Sequence, residues 1–388
     1  MKVLHVYNRH RSGGGSDNAW DQTIALSRKR GVDVRIFERD SKDLGTGLAG
    51  KVRAFSSGLY AREAVRAFDA LLEADPPDIV HTHELYPLIS PFVLEVAARR
   101  GVPVVHSVYD YRITCPVATH YNGREVCTRC EDRGAHNILR QGCRDSLGEN
   151  VAFSLRYALA RQRDLFRRNI THFIVLTPFS KKWLVERAGV AANRISVNEC
   201  AIATENPPAD PARGVFAGFA GRPVHEKGID VLLQAAETTG IPIKLALPKG
   251  TNIARVGLPP EILTVTQSRA DLIAFYRRCR FLVVPSLWFE TFAIVAAEAM
   301  AEGIPVVASD LGALRDTIVR DETGLHFAPG DASGLAAAMT RLWTDDALVQ
   351  ELGAGARKRV ETVLNEDAHF DRLCAAYDTA LCAGPPGL

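Results

Sequence analysis

The chain has 388 residues, a length that argues for two domains because a single hydrophobic core stops growing at roughly 250–300 residues. Its 47% apolar and 24% charged residues exclude a disordered or collagen-like chain, and a net charge of +2 gives no overall pull on nucleic acid. No apolar run reaches the ~20 residues of a membrane-spanning helix, and MKVLHVYN reads as a strand rather than a signal peptide, so a cytoplasmic protein is expected. Eight Cys are too sparse for a disulfide scaffold.

In chain order, short β-branched runs alternate with amphipathic stretches of helical length. Strands are predicted at 3–7, 32–37, 78–82, 102–108 and 172–176, with helices at 17–29, 58–73 and 91–100 between them. The pattern resumes with strands at 215–220, 241–247, 281–285 and 305–308 and helices at 229–238, 271–278 and 291–302. Alternation at this spacing means βαβ units and a parallel sheet in each half, with ligands at the carboxyl ends of the strands. The Pro-rich run 206–211 reads as the linker. Residues 1–200 hold 30 Lys/Arg against 22 Asp/Glu, whereas 201–388 hold 17 against 23, so the halves are expected to meet different partners.

The strongest motif is FLVVPSLWFETFAIVAAEAMAEGIPVVASDLGALRDTI, beginning at Phe281. A buried strand, a short loop and a helix starting near Thr291 would point unpaired backbone N–H groups at an anion. Glu290 at that helix start and Glu298 eight residues on would lie roughly on one face; read alone, they are equally a cap and a surface charge. The second stretch, Gly218 to Gly228, places Arg222 and Lys227 on a strand-end loop. A guanidinium and an ammonium there suit a diphosphate, although ordinary loop charge explains either residue by itself. Gly13, Gly14 and Gly15 follow the opening strand without forming the GxGxxG fingerprint; a plain turn is the alternative.

Taken together, these stretches resemble the donor-site signature of family 4 (group 1) glycosyltransferases, retaining enzymes of the GT-B fold. Gly221-Arg222 with Lys227-Gly228, then Glu290 and Glu298, then residues 305–309, Gly312 and 323–325 follow the family's order. The resemblance implies an α/β protein with two Rossmann-like domains facing across a cleft. The domains would be an acceptor domain at 1–205, a nucleotide-sugar donor domain at 206–365, and a helix at 366–388 packing back on the first. It implies that Arg222 and Lys227 hold the donor diphosphate, Glu290 lies against the sugar and Glu298 binds the ribose. The backbone of Thr291, Phe292, Ala293 and Ile294 would meet sugar and phosphate, with Gly14 and Gly15 facing the donor. The family usually has Gly where Thr291 and Ala293 stand, which narrows the space beside the sugar. It commonly has a His-Asp pair where this chain has Tyr109 and Asp110; His106 is three positions too early and on the other strand face.

Cys115, Cys127, Cys130 and Cys143 fall within 29 residues around a CxxC. Four thiolates so spaced can close a structural zinc site, with His120 or His136 as substitute ligands; free thiols or disulfides are the alternatives. A Cys-rich insertion here is similar to that of a bacterial polysaccharide-type subgroup. The helical pattern at 151–169 carries five Arg, which suits an anionic membrane surface at the inner face or a solvated side.

The resemblance thus implies transfer of a hexosyl-type sugar from a UDP- or GDP-linked donor to a sugar, lipid-linked or other hydroxyl acceptor, in bacterial polysaccharide or glycolipid assembly. No cofactor is required: Arg222, Lys227 and a helix start would stabilise the leaving diphosphate. The rivals are an epimerase of the same fold, a non-catalytic sugar-nucleotide binding protein and a zinc-dependent enzyme.

Overall fold

The structure is a computed structural model describing residues 1–11, 14–45 and 47–385, the side chain of Arg255 excepted. The chain divides into two compact units: residues 1–122, 127–198 and 370–388 form the first, and 123–126 with 199–369 the second. The division falls between Asn198 and Glu199, ahead of the Pro-rich run. That run is seated on the second unit: Arg277 donates to the Pro207 carbonyl and the Ala209 N–H to that of Glu302. Proline forbids a helix there, but its own carbonyl and a neighbour's N–H remain free to dock.

The first unit holds six parallel strands, β1 (Lys2–Arg9), β2 (Asp33–Asp40), β3 (Ile79–Thr82), β4 (Val104–Val108), β5 (His172–Val175) and β6 (Ile195–Val197), in the order β2-β1-β3-β4-β5-β6. Period-two alternation divides the side chains between two cores. Leu4, Val80, Val104 and Phe173 enter one, with helix residues Val65, Phe68 and Leu94. Val3, Ile79, Val105 and Ile174 enter the other, closed by Leu373, Ala376, Tyr377 and Ala380 of the last helix, Glu366–Ala383. From Phe370 onward that helix belongs to the first unit, as the sequence led one to expect. Each large apolar side chain so buried contributes ~1.5–3 kcal/mol before entropy is charged.

The second unit repeats the plan with β7 (Phe216–Ala220), β8 (Ile243–Leu247), β9 (Leu263–Val265), β10 (Cys279–Val284), β11 (Val306–Ser309) and β12 (Gly324–Phe327), ordered β12-β11-β10-β7-β8-β9. Both sheets are Rossmann-like, and both reverse strand order beside their first strand, where ligands of such sheets gather.

The sequence missed β6, β9 and β12. All three are edge strands of three or four residues, too short to show alternation. The predicted helix at 58–73 is two helices, Leu48–Tyr60 and Arg62–Ala74, meeting at the non-helical Ala61. The basic stretch at 151–169 is also broken, into Leu147–Gln162 and Leu165–Asn169, with Asp164 left-handed between them. Three of its arginines are turned to internal use. Arg156 stacks on Phe153, Arg161 donates to the Glu131 carbonyl, and Arg167 pairs with Asp164. Among the described residues, no helix is long and apolar enough to cross a membrane.

Candidate functional site

In the second unit, the loops after β7 and β10 are brought together by one glycine. Gly228 has φ +70°, and a Cβ there would lie 1.8 Å from the Pro285 carbonyl oxygen. Only glycine lets the two loops approach so closely. The Leu287 N–H, donating to the Glu226 carbonyl at 2.9 Å, fixes the contact.

This closure delivers Lys227 to Glu290. Lys227 Nζ donates to Glu290 Oε1 at 2.7 Å, joined on the same oxygen by Ser286 Oγ at 2.6 Å and Trp288 Nε1 at 2.9 Å. The ammonium also lies 5.2 Å from the Trp288 ring centroid. Burial by itself would raise the Glu290 carboxyl; the charge and hydrogen bond of Lys227 and the bonds from Ser286 and Trp288 outweigh it and hold the group below its ordinary range. Glu290 is thus a buried, ionised carboxylate. Arg222, five residues before Lys227, is exposed on the same loop.

The structure corrects the helix boundary. The helix spans Ile294–Ala301, so Glu290 lies in the loop before it and does not share a helix face with Glu298. Ala293 is the residue before the first turn and has φ 60°, ψ 63°, the left-handed region. The extended start expected at Thr291 fails because this residue cannot propagate a helix. Phe292 is buried, and its carbonyl accepts from Thr317 Oγ1 at 2.7 Å. Ala293 offers no side-chain cap; its carbonyl accepts from the Ala296 N–H at 2.9 Å, which leaves first-turn N–H groups ahead of Ala296 to a ligand.

Glu298, on that helix, faces a different neighbourhood. Arg269 Nη1 reaches Oε1 at 3.1 Å and Tyr276 donates to Oε2 at 3.2 Å. Burial nevertheless raises its carboxyl above the usual range, against the pull of Arg269 and Tyr276. The two glutamates of one motif are therefore pushed in opposite directions, Glu290 by a lysine and Glu298 by desolvation.

In the first unit, Gly14 and Gly15 lie exposed at the end of β1, where Gly15 opens the helix Gly15–Lys29; Gly13 lies outside the described residues. Gly14 has φ 169°, an extended backbone open to any residue. Beyond β4, Tyr109 stacks on His83 and shares a hydrogen bond with its Nδ1 at 3.1 Å. His83 Nε2 meets His5 Nδ1 at 3.1 Å, and His81 is held between Tyr377 and Ser107 at 2.7 and 2.8 Å. Burial lowers the His83 and His5 pKa values, the latter to about 3, so both rings are neutral. Asp110 is committed: both its oxygens accept from Arg112 Nε at 2.9 Å. Arg112 also reaches Glu84 Oε2 at 2.6 Å. Burial raises the Glu84 carboxyl, with Arg112 opposing.

Ser286, Trp288, Glu84 and Arg112 were not singled out from the sequence. Ser286 and Trp288 lie inside the Glu290 motif and Arg112 two residues past Asp110, but nothing in their spacing announces whom they touch.

The four cysteines of the insertion line one pocket of the first unit and are not disulfide-bonded. His120 is not a candidate ligand, since Nε2 meets Thr114 Oγ1 at 2.7 Å and Nδ1 the Cys127 carbonyl at 2.9 Å.

Residues 14–201 match the glycosyl transferase 4-like domain and residues 251–359 the glycosyl transferases group 1 family. The D-inositol 3-phosphate glycosyltransferase of Thermomonospora curvata is 30% identical over 90% of this chain and 81% of its own length. The chain belongs to the group 1 (family 4) glycosyltransferases. The O-antigen chain mannosyltransferase C of Escherichia coli is 28% identical over 98% of this chain and 99% of its own. Sucrose-phosphate synthase from Thermosynechococcus elongatus superposes with a TM-score of 0.70 at 20% identity, covering 99% of this chain and all of its own. Anabaena HepE in complex with UDP-glucose has a TM-score of 0.65 at 17% identity, covering 98% and 100%. This group 1 glycosyltransferase has the GT-B fold, with two parallel six-stranded sheets and a last helix belonging to the first unit. It is an enzyme that uses a nucleotide-sugar donor.

Proposed function

We propose that this enzyme moves a hexosyl-type sugar from a UDP- or GDP-linked donor to a hydroxyl acceptor with retention of configuration, in the assembly of a bacterial polysaccharide or glycolipid. The observation that carries the reading is the buried Lys227–Glu290 pair, fixed by the Gly228 closure at the carboxyl ends of β7 and β10.

In this reading Lys227 and the exposed Arg222 take the diphosphate, as point charge and fork respectively. The unfilled first turn at Ile294 adds backbone N–H groups, and no metal is needed to stabilise the leaving group. Glu290, kept ionised, accepts hydroxyls of the sugar, and Thr291 through Ala293 bound its space. Glu298, with its raised carboxyl, takes the ribose hydroxyls in exchange for Tyr276 and Arg269. The full-length likeness to an O-antigen mannosyltransferase supports polysaccharide assembly as the setting.

A panel of UDP-, GDP- and ADP-sugars tests the donor by thermal shift. One class should raise the melting temperature, by an amount that Lys227→Met and Arg222→Ala reduce. A panel in which no nucleotide sugar shifts the transition at saturation would sink the donor-site assignment. The anomeric configuration of the transferred sugar, read by NMR coupling constants, tests retention.

A further inference from the structure

The cysteine lobe has more sequence order than its own packing explains. Between Cys115 and Cys143 the regular helices are Arg129–Arg133 and Asn137–Gln141, five residues each, far below the length that holds a helix alone. The buried apolar side chains of the same stretch are Cys115, Pro116, Tyr121, Cys130 and Ile138. That is too little surface to order a loop of this size by burial. Yet Cys115, Cys127, Cys130 and Cys143, which stand in a C-x11-C-x2-C-x12-C pattern, all line one pocket.

The pocket lining tells what would suit it. It contains no Asp, Glu, Lys or Arg; its other members are apolar or neutral, such as Val117, Ile138 and Gln141. Besides the phenol of Tyr121, the four thiols are its only acidic groups, and no cationic side chain lines the pocket to receive a thiolate. His120 is occupied at both ring nitrogens, which leaves a set of sulfurs alone.

The other cluster of ligating type is weaker. Among the described residues, His5, His81 and His83 are the group whose donor atoms all lie within 4.8 Å of one another. They sit fully inside the sheet and spend their nitrogens on each other, Tyr377, Ser107 and Tyr109, with only His5 Nε2 unsatisfied. The thiols stand further apart than that group, and a χ1 step, which carries a sulfur through about 3 Å, is what metal binding would ask of them.

We infer that Cys115, Cys127, Cys130 and Cys143 bind one zinc ion as a closed tetrahedral thiolate site that organises the lobe. Binding converts four thiols to thiolates and releases four protons, and the metal holds together a segment that cannot bury enough surface to hold itself. All four ligand positions are filled by protein, so the ion has no open position for substrate and takes no part in transfer.

The test uses the full chain purified without added metal chelator. Elemental analysis should find about one zinc per chain. Treating the native protein with a mercurial should release it, as read with a metal-sensitive dye. Cys130→Ser and Cys143→Ser should each lose the ion, while His120→Ala keeps it. If the serine variants do not fold, the mercurial titration of the unaltered protein still decides. In denaturant without reductant, every cysteine should titrate as a thiol. A folded chain with less than about a tenth of a zinc per molecule, or one with two disulfides in place of four of its thiols, overturns the inference. None of these readouts involves sugar transfer, so they stand independently of the donor assignment.

Discussion

Replacing Lys227 by Met keeps the apolar stem and removes the charge that sets the state of Glu290. In the native protein Glu290 is held below its ordinary range, so its contribution to stability is present above the unfolded value near pH 4.5 and lost as pH falls through the folded one. Without Lys227, the charge that opposes burial most is gone while the bonds from Ser286 and Trp288 remain, and the carboxyl rises above the unfolded value. The contribution then becomes a penalty, full above the raised value and relieved as pH falls. Removing one partner of a buried pair costs about 3–5 kcal/mol. Here the lysine side chain keeps 21% of its exposure and the glutamate 9%, and two hydrogen bonds survive. A loss of about 2–3 kcal/mol at pH 8, shrinking to below ~1 kcal/mol near pH 4.5, is expected. Urea denaturation followed by fluorescence checks this, in a Trp20→Phe/Trp183→Phe background that leaves Trp288 and Trp343 reporting on the second unit. A stability difference between the native and Lys227→Met proteins that stays flat from pH 5 to 8, or grows toward acid, would refute the reasoning.

Three further outcomes follow from particular geometries. Ala293→Gly should stabilise the second unit by ~0.5–1 kcal/mol, since an alanine at φ 60° costs about 1–2 kcal/mol and glycine's added unfolded-state freedom recovers part of that; a lower melting temperature would contradict the strain. Tyr377→Phe should cost about 0.5–1.5 kcal/mol by removing the buried hydrogen bond between its hydroxyl and His81 Nδ1, with faster amide exchange in the last helix as the readout. Glu84→Gln should stabilise the first unit at pH 8 and gain nothing below about pH 4.5, because a carboxyl raised by burial is penalised only while ionised; an equal gain at both pH values would show that packing, not charge, was responsible.

The central strands were legible because β1, β4, β7 and β10 are runs of apolar and β-branched residues buried over most of their length. The edge strands were not, since three residues such as Leu263–Val265 carry no periodicity and owe their pairing to β8. The helix at Ile294 shows the same limit from the other side. Its residues favour a helix from Thr291 onward, and only the loop closure that seats Phe292 and turns Ala293 left-handed delays it. Glu290 and Glu298 were found by spacing, but the reason proposed for that spacing, a shared helix face, was wrong.

The sequence by itself determined the two-sheet plan and the family and singled out Lys227, Glu290 and Glu298 as candidates, because strand–helix alternation and motif order are written along the chain. It also carried the charge imbalance between halves, without saying what that imbalance serves. Only the tertiary structure decided that Lys227 and Glu290, 63 positions apart, share a hydrogen bond, and that the two glutamates are shifted in opposite senses. A pKa depends on what is buried beside a group, and burial is a property of packing rather than of spacing. The near-neutral charge of the whole chain therefore says little about the candidate site, where one lysine is brought against one carboxylate by a glycine that leaves room for a carbonyl oxygen.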